Sequence, residues 1–117
     1  MNVAGNFEDL VAYRIAVEIA DDLYAAVSKW PSFARWSVGV QLVRAADSIG
    51  ANIAEAPGRW YRADERRLLL IARGSLHETE HWLRRAEQRG LRASGTTARL
   101  DEAARALNGM IRKRRSA

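Results

Sequence analysis

Apolar residues recur at steps of three and four along most of the chain, the periodicity of amphipathic α-helices. The only two prolines, Pro31 and Pro57, each fall where such a pattern stops. Pattern and breaks together predict four helices, at about residues 8–28, 34–56, 63–89 and 96–113. Such helices, joined by short loops, bury their apolar faces most simply by packing antiparallel around one core. We therefore predict an all-α protein, a single up-and-down antiparallel four-helix bundle domain over residues 1–117.

The first predicted helix carries a heptad-like apolar seam with a second apolar row beside it. The seam consists of Leu10, Tyr13, Val17, Ala20, Tyr24 and Val27, and the second row of Ile15, Ile19 and Leu23. In the second helix, Gly50 interrupts the pattern and predicts either a bend or the close approach of another backbone. Gly90, just beyond the third helix, is predicted to be its C′ residue.

The composition is that of a globular chain and limits its chemistry. Of 117 residues, 48% are apolar and 28% charged, and none is cysteine, which excludes disulfides and thiolate metal sites. The N-terminus lacks the basic and apolar regions of a signal peptide. No apolar run is long enough to span a membrane. These features predict a cytoplasmic protein without membrane association.

The net charge of +5 is unevenly placed. Through Glu55 the chain has four basic and seven acidic residues, whereas from Ala56 onward it has fifteen basic and seven acidic. The excess of positive charge in the second half could attract a polyanion. Most of these cations are arginines, which suit bidentate phosphate contacts. The alternative is a solubilising surface encoded by a GC-rich genome.

Polar residues form a row along one face of the predicted second helix. Three interpretations stand: a solvated face, a polar network between helices or subunits, and a ligand site. Small and apolar neighbours favour the network, because a helix with few exposed charges is normally covered on most sides. We expect Arg44 or Arg59 to pair with Glu55 or Glu78. The predicted network or assembly residues are Gln41, Arg44, Ser48, Asn52, Glu55, Arg59 and Glu78.

Three separated blocks of the chain resemble a known family. Residues 41–56, QLVRAADSIGANIAEA, with Gly58 and Arg59, are similar to the signature of the 23S ribosomal-RNA intervening-sequence protein family, also called four-helix bundle proteins. Residues 7–10, FEDL, and 71–78, IARGSLHE, are similar to its other two marks. The family commonly has proline where this chain has Gly50, and glycine where it has Ala56.

The resemblance implies a homo-oligomer, a pentameric ring of bundles, with no assigned activity in most members. Relatives include the accessory protein of diversity-generating retroelements, a basic bundle that binds nucleic acid and a reverse transcriptase. It therefore implies that a nucleic acid and a protein partner are candidates for this chain as well.

His77, Glu78 and His81 form the pattern H-E-x-x-H, which on a helix can place two imidazoles on one zinc ion. These are the only histidines, and Glu80 puts a charge inside the motif. The motif also overlaps the third family block, where zinc is not implied. We interpret it as a surface or interfacial helix face, and predict no metal, no cofactor and no catalytic residue.

Basic and aromatic residues are interleaved at the loop into the third helix and at the C-terminus. Arginines bind phosphates, and exposed rings can stack on unpaired bases. The alternative is that Trp60 or Tyr61 plugs the end of the bundle. The candidate nucleic-acid contacts are Arg59, Trp60, Tyr61, Arg62, Arg66, Arg67, Arg112, Lys113, Arg114 and Arg115.

Two hypotheses from different classes follow. In the first, the oligomer binds nucleic-acid backbones without sequence preference, and binding weakens as salt rises. In the second, it is a structural or protein-interaction oligomer without a polyanion role. Trp30, Phe33 and Trp36 could then anchor a subunit or partner contact, unless they simply cap the core.

Overall fold

A computed structural model describes residues 7–93 and 95–114 of the chain. Within these residues lie four long helices: α1 (Phe7–Val27), α2 (Val40–Glu55), α3 (Arg62–Gln88) and α4 (Thr97–Lys113). The described residues contain no strand. The predicted all-α class is therefore confirmed.

Helices that follow one another in the chain are also neighbours in space. α1 packs against α2, α2 against α3, α3 against α4, and α4 returns to α1. The molecule measures 46 × 22 × 20 Å, so all four helices run along its long axis. The short connections make consecutive helices antiparallel, which confirms the up-and-down four-helix bundle.

This topology gives the bundle two distinct ends. At the Trp60 end, defined by residues 56–67 and 110–114, α2 finishes, α3 begins and α4 finishes. At the Trp36 end, defined by residues 24–44, 88–93 and 95–97, α1 finishes, α2 begins, α3 finishes and α4 begins. Segments far apart in the sequence are thus brought together at each end.

The core face of α1 differs from the predicted seam. Ala12, Ala16, Ile19 and Leu23 are fully buried, whereas Leu10 and Tyr24 from the seam are exposed. Tyr13 and Val17 are only half-buried. The reason is that α1 packs against both α2 and α4, which turns the isoleucine row towards the bundle axis. Much of the predicted seam therefore forms an apolar strip on the surface.

The irregularity expected at Gly50 lies elsewhere. α2 is α-helical through Gly50, where an added Cβ would make only ordinary contacts, the nearest with Val17 Cγ2 at 3.5 Å. The helix instead widens before α2, where one α-helical turn, Ser32–Ala34, leads into a π-helical turn, Arg35–Gly39. A Cβ at Gly39 would lie 2.7 Å from Val27 Cγ1 and 3.0 Å from the Ala34 carbonyl oxygen. Gly39 therefore permits the close approach of α1.

The predicted helix end at Gly90 is confirmed. Gly90 has φ +79°, a left-handed conformation in which glycine carries no steric penalty. The Leu91 amide donates to the Ala86 carbonyl at 3.0 Å, the bond that closes a Schellman motif. This ending directs the chain across the Trp36 end towards α4.

The three aromatic residues at the Trp36 end have different environments. Trp30 is buried and its Nε1 donates to the Arg92 carbonyl at 2.9 Å, so it closes the core. Phe33 and Trp36 are 86% and 76% exposed. The core-capping interpretation holds for Trp30 and is wrong for the other two.

Candidate nucleic-acid interface

The aromatic residues of the Trp60 end project into solvent. A 3₁₀ turn, Ala56–Gly58, ends the second helical segment, and Arg59 continues in an extended conformation. Trp60 is 96% exposed and Tyr61 is 72% exposed. The alternative that one of these rings plugs the bundle is therefore wrong, and both faces of the indole are open to a stacking partner.

Two basic segments that are distant in sequence meet at this end. Arg62 Nη1 donates to the carbonyl oxygen of Lys113 at 3.3 Å, which joins the start of α3 to the end of α4. Both side chains are exposed, as are those of Arg67 and Arg112. The fold thus merges the two predicted basic runs into one cationic surface next to Trp60.

Arg114 does not belong to that surface. Its guanidinium is buried, 3.2 Å from Asp9 Oδ2 and 3.5 Å from Glu65 Oε1, and it also donates to the Met110 carbonyl at 3.0 Å. Asp9 itself is 1% exposed. Arg114 therefore ties α1, α3 and α4 together from inside, and we remove it from the candidate phosphate contacts. Arg115 lies outside the described residues.

Two cations of the Trp60 end already have carboxylate neighbours. Arg59 Nη2 lies 3.0 Å from Glu55 Oε1, and Arg67 Nε lies 3.7 Å from Asp64 Oδ1. Both pairs are exposed, and such pairs contribute about 0–1 kcal/mol, so a phosphate can replace either carboxylate at small cost. Arg66 is half-buried, and its buried Nε has no hydrogen-bond partner.

Part of the polar row on α2 forms a hydrogen-bond network with α3. The Ser48 and Ser75 hydroxyls are 2.7 Å apart, and Asn52 Nδ2 donates to the Ser48 carbonyl at 2.8 Å and to its hydroxyl at 3.1 Å. Thr79 Oγ1 donates to the Ser75 carbonyl at 2.8 Å. The sequence interpretation missed Ser75 and Thr79, although Thr79 was visible as a polar residue on the apolar face of α3.

The other members of the predicted row do not join this network. Gln41, Arg44 and Glu55 are exposed. Glu55 pairs with Arg59, one of the pairings expected from the sequence, while Glu78 accepts a bond from Trp82 Nε1 at 3.3 Å. Within one chain, two of the seven predicted residues, Ser48 and Asn52, join the network and the other five lie on the surface, and a role in assembly stays a prediction.

The two histidines are exposed on α3. His77 Nδ1 lies 3.2 Å from Glu80 Oε1, and the His81 ring meets the edge of Trp82 with centroids 4.7 Å apart. In the part of the chain that the structure describes, no three His, Asp or Glu side chains are grouped to hold a metal ion.

A second surface lies in the groove between α1 and α2. Tyr13, Val17, Gly50 and Ala51 line it, together with the facing carboxylates of Asp21 and Asp47. Partial burial raises the pKa of Asp47 above its ordinary value of 3.8, and the negative charge of Asp21 raises it further. The groove is thus mostly apolar with a repulsive acidic pair.

Comparison with known proteins yields one family. The model of the family described as 23S rRNA-intervening sequence protein matches residues 8–113, which span nearly all of the four helices. A search of curated proteins finds no match. Across the described ranges, no helix is long and apolar enough to cross a lipid bilayer.

Proposed function

This chain belongs to the 23S rRNA-intervening sequence protein family, and we propose that it is a non-enzymatic, cytoplasmic homo-oligomer that binds nucleic acid through phosphate contacts at its Trp60 end. The observation that carries the proposal is the meeting of two basic segments beside the exposed indole of Trp60. Arg62 and Lys113 join them through one hydrogen bond.

The chemistry of this end suits a single-stranded polyanion. Arginine side chains contact phosphates in a bidentate manner, and exposed rings stack on unpaired bases of any sequence. Among the described residues, the cations that remain for the interface are Arg59, Arg62, Arg66, Arg67, Arg112 and Lys113. Phosphate contacts carry no sequence information and stacking tolerates every base, so binding without sequence preference is expected.

Self-association is supported by the apolar strip that the fold leaves on α1. Leu10 is exposed, and half-buried Tyr13 and Val17 follow it along the helix. Aligned apolar side chains of this kind are favourable to bury against another surface. We propose a second copy of the chain as that surface, in the ring of five that the family resemblance implies.

The nucleic-acid proposal is tested by fluorescence anisotropy with labelled single-stranded RNA and a matched RNA duplex. We expect tighter binding of the single strand and a steep loss of affinity between about 50 and 200 mM salt. The double variant Arg62→Glu/Arg112→Glu should bind at least about tenfold more weakly and show a shallower salt dependence.

A matched control is Arg84→Glu/Arg89→Glu, which makes the same charge change with exposed arginines outside the Trp60 end. It should retain most of the affinity, because local phosphate contacts are left in place. Equal losses in both double variants would show that only overall charge matters and would contradict a localised interface.

The second candidate is a protein-interaction oligomer without a nucleic-acid role, favoured by the exposed Phe33 and Trp36. Analytical ultracentrifugation of the unmodified chain and of Tyr13→Glu tests association separately from RNA binding. An oligomer that Tyr13→Glu dissociates, combined with no RNA binding at about 50 mM salt, would favour this candidate.

A further inference from the structure

The Trp36 end contains a pocket that neither the nucleic-acid contacts nor the Ser48 network uses. It opens between the C-terminal turns of α1, the π-helical turn and the first turns of α2, and has a volume of about 440 Å³. Small-molecule sites typically occupy about 300–1,000 Å³ and are concave and mostly apolar. The size therefore suits a compact organic ligand.

The walls of the pocket are largely apolar. They are formed by Val27 from α1, by Val40 and Val43 from α2, and by the rings of Tyr24 and Trp36. Both rings are more than half exposed, so the pocket leaves a large apolar area in water. A ligand with an apolar body would remove that area from solvent, which is favourable.

The π-helical turn creates this shape. A π-helix inserts an extra residue into the turn, and such turns are frequent at functional sites. Gly39 lies in the pocket wall, where an added Cβ would be 2.7 Å from Val27 Cγ1. The absence of a side chain at this position therefore lets the wide turn sit directly against α1.

Two arginines, Arg35 and Arg44, line the same pocket. The Arg35 Nε is buried and has no hydrogen-bond partner, and no carboxylate in the described residues forms an ion pair with either arginine. An arginine that no carboxylate neutralises can instead pair with an anion that reaches the terminal nitrogens of its guanidinium. The pocket thus combines apolar walls with unpaired positive charge.

We propose that this pocket binds small apolar carboxylates, with the hydrocarbon body between Val27, Val43 and the Trp36 ring. The carboxylate accepts hydrogen bonds from Arg35 and Arg44. A planar carboxylate matches the guanidinium fork, and its single charge suits a site whose lining offers few other polar groups. This site is independent of the nucleic-acid proposal.

The probe is 2-naphthaleneacetate, compared with the neutral 2-naphthaleneacetamide of nearly the same shape. Ligand-observed NMR and isothermal titration should show saturable binding of the carboxylate and at least about tenfold weaker binding of the amide. Arg35→Gln/Arg44→Gln should reduce carboxylate affinity at least about tenfold and leave amide affinity nearly unchanged. Val43→Asp should weaken both ligands.

Arg84→Gln/Arg105→Gln, which changes two exposed arginines of α3 and α4 outside the pocket, serves as the matched control and should bind the carboxylate as the unmodified chain does. Equal affinity for carboxylate and amide, or no effect of Arg35→Gln/Arg44→Gln in a folded protein, would overturn the proposal. Tighter binding of 2-naphthyl phosphate would overturn the carboxylate assignment. Carboxylate binding that vanishes as rising protein concentration drives association would assign the pocket to a second copy instead.

Discussion

The two ends of the bundle combine arginine with tryptophan in opposite ways. At the Trp60 end the indole is almost fully in water, and most of the cations around it are exposed as well. At the Trp36 end the indole borders a concave pocket that two arginines and three valines also line. The same residue types therefore favour a long, flexible polyanion at one end and a compact anion at the other.

The interiors of the two ends differ as well. Trp30 closes the Trp36 end with an apolar ring and one hydrogen bond to the Arg92 carbonyl. The Trp60 end is closed by ions, because Arg114 is buried between Asp9 and Glu65. Removal of one partner of a buried ion pair is strongly destabilising, because the other charge stays buried.

The largest effect is therefore expected for Arg114→Leu. This change leaves the buried Asp9 carboxylate without its guanidinium partner and should lower the free energy of unfolding by about 3–5 kcal/mol. Urea denaturation followed by circular dichroism measures the loss. Arg112→Leu, an exposed neighbour in the same turn, is the control and should change stability by less than about 0.5 kcal/mol. Similar losses in both variants would contradict the ionic closure.

A glycine at each end gives a matched pair for packing. Gly39→Ala should destabilise the fold by about 1–3 kcal/mol, because its Cβ meets Val27 and the Ala34 carbonyl. At Gly58, in the Trp60 end, an added Cβ meets nothing within 4 Å. Gly58→Ala should be neutral or stabilise by up to about 1 kcal/mol, by restricting the unfolded chain. Thermal unfolding in which both variants behave alike would contradict this difference.

The exposed indoles provide a test of the functional contrast. Trp60→Ala should weaken single-stranded RNA binding by about 1–3 kcal/mol, the usual contribution of one stacked base. Trp36→Ala should leave RNA binding unchanged and weaken 2-naphthaleneacetate instead. Fluorescence anisotropy with labelled RNA and isothermal titration with 2-naphthaleneacetate, each on both variants, measure these two losses of affinity. Loss of RNA binding in Trp36→Ala would contradict the assignment of RNA to the Trp60 end and of the carboxylate to the Trp36 end.

The smallest effect concerns Asp47, which lies on the groove between the two ends. Since its pKa is raised in the folded protein, its ionisation disfavours the fold. This contribution is absent below the ordinary pKa of 3.8 and appears as the pH rises through the raised value. Asp47→Asn should therefore reduce the fall in the free energy of unfolding as the pH rises from 3.8 through the raised pKa of Asp47.

Urea denaturation at a series of pH values on both chains checks this prediction. Asp101→Asn, which removes an exposed carboxylate from α4, is the control. The effect is expected to be small because Asp47 is itself exposed and water screens its interaction with Asp21. A reduction of the pH dependence in Asp101→Asn as large as that in Asp47→Asn would contradict the assignment to Asp47.

Local signals predicted individual helix boundaries well. The glycine at position 90 and the prolines at positions 31 and 57 act within a few residues, because they set φ or remove an amide donor. Gly50 and Gly39 show where this reasoning stops. Both are glycines in helical segments, but only Gly39 is needed for space, since it alone faces a neighbouring helix at less than contact distance.

In the candidate sites too, some features could be predicted from neighbouring residues in the chain and others depend on the fold. Trp60 and the arginines around it could be selected from the sequence because they are adjacent in the chain. The exposure of these side chains could not be predicted from the sequence. The burial of Arg114 could not be predicted either, because its partners Asp9 and Glu65 are 105 and 49 residues away. The pocket was missed because Arg35 and Arg44 belong to different turns and share it only through the π-helical turn.

The sequence by itself determined that the chain is helical, where its helices end, and which half is basic. These properties follow from periodicity, backbone restrictions and charge count, all of which act locally or by summation. Only the tertiary structure decided which apolar row of α1 is core, which arginine is interior, and which tryptophan meets a pocket. Each of these depends on how far a side chain lies from a helix distant in sequence, and burial and hydrogen bonding are set by that distance.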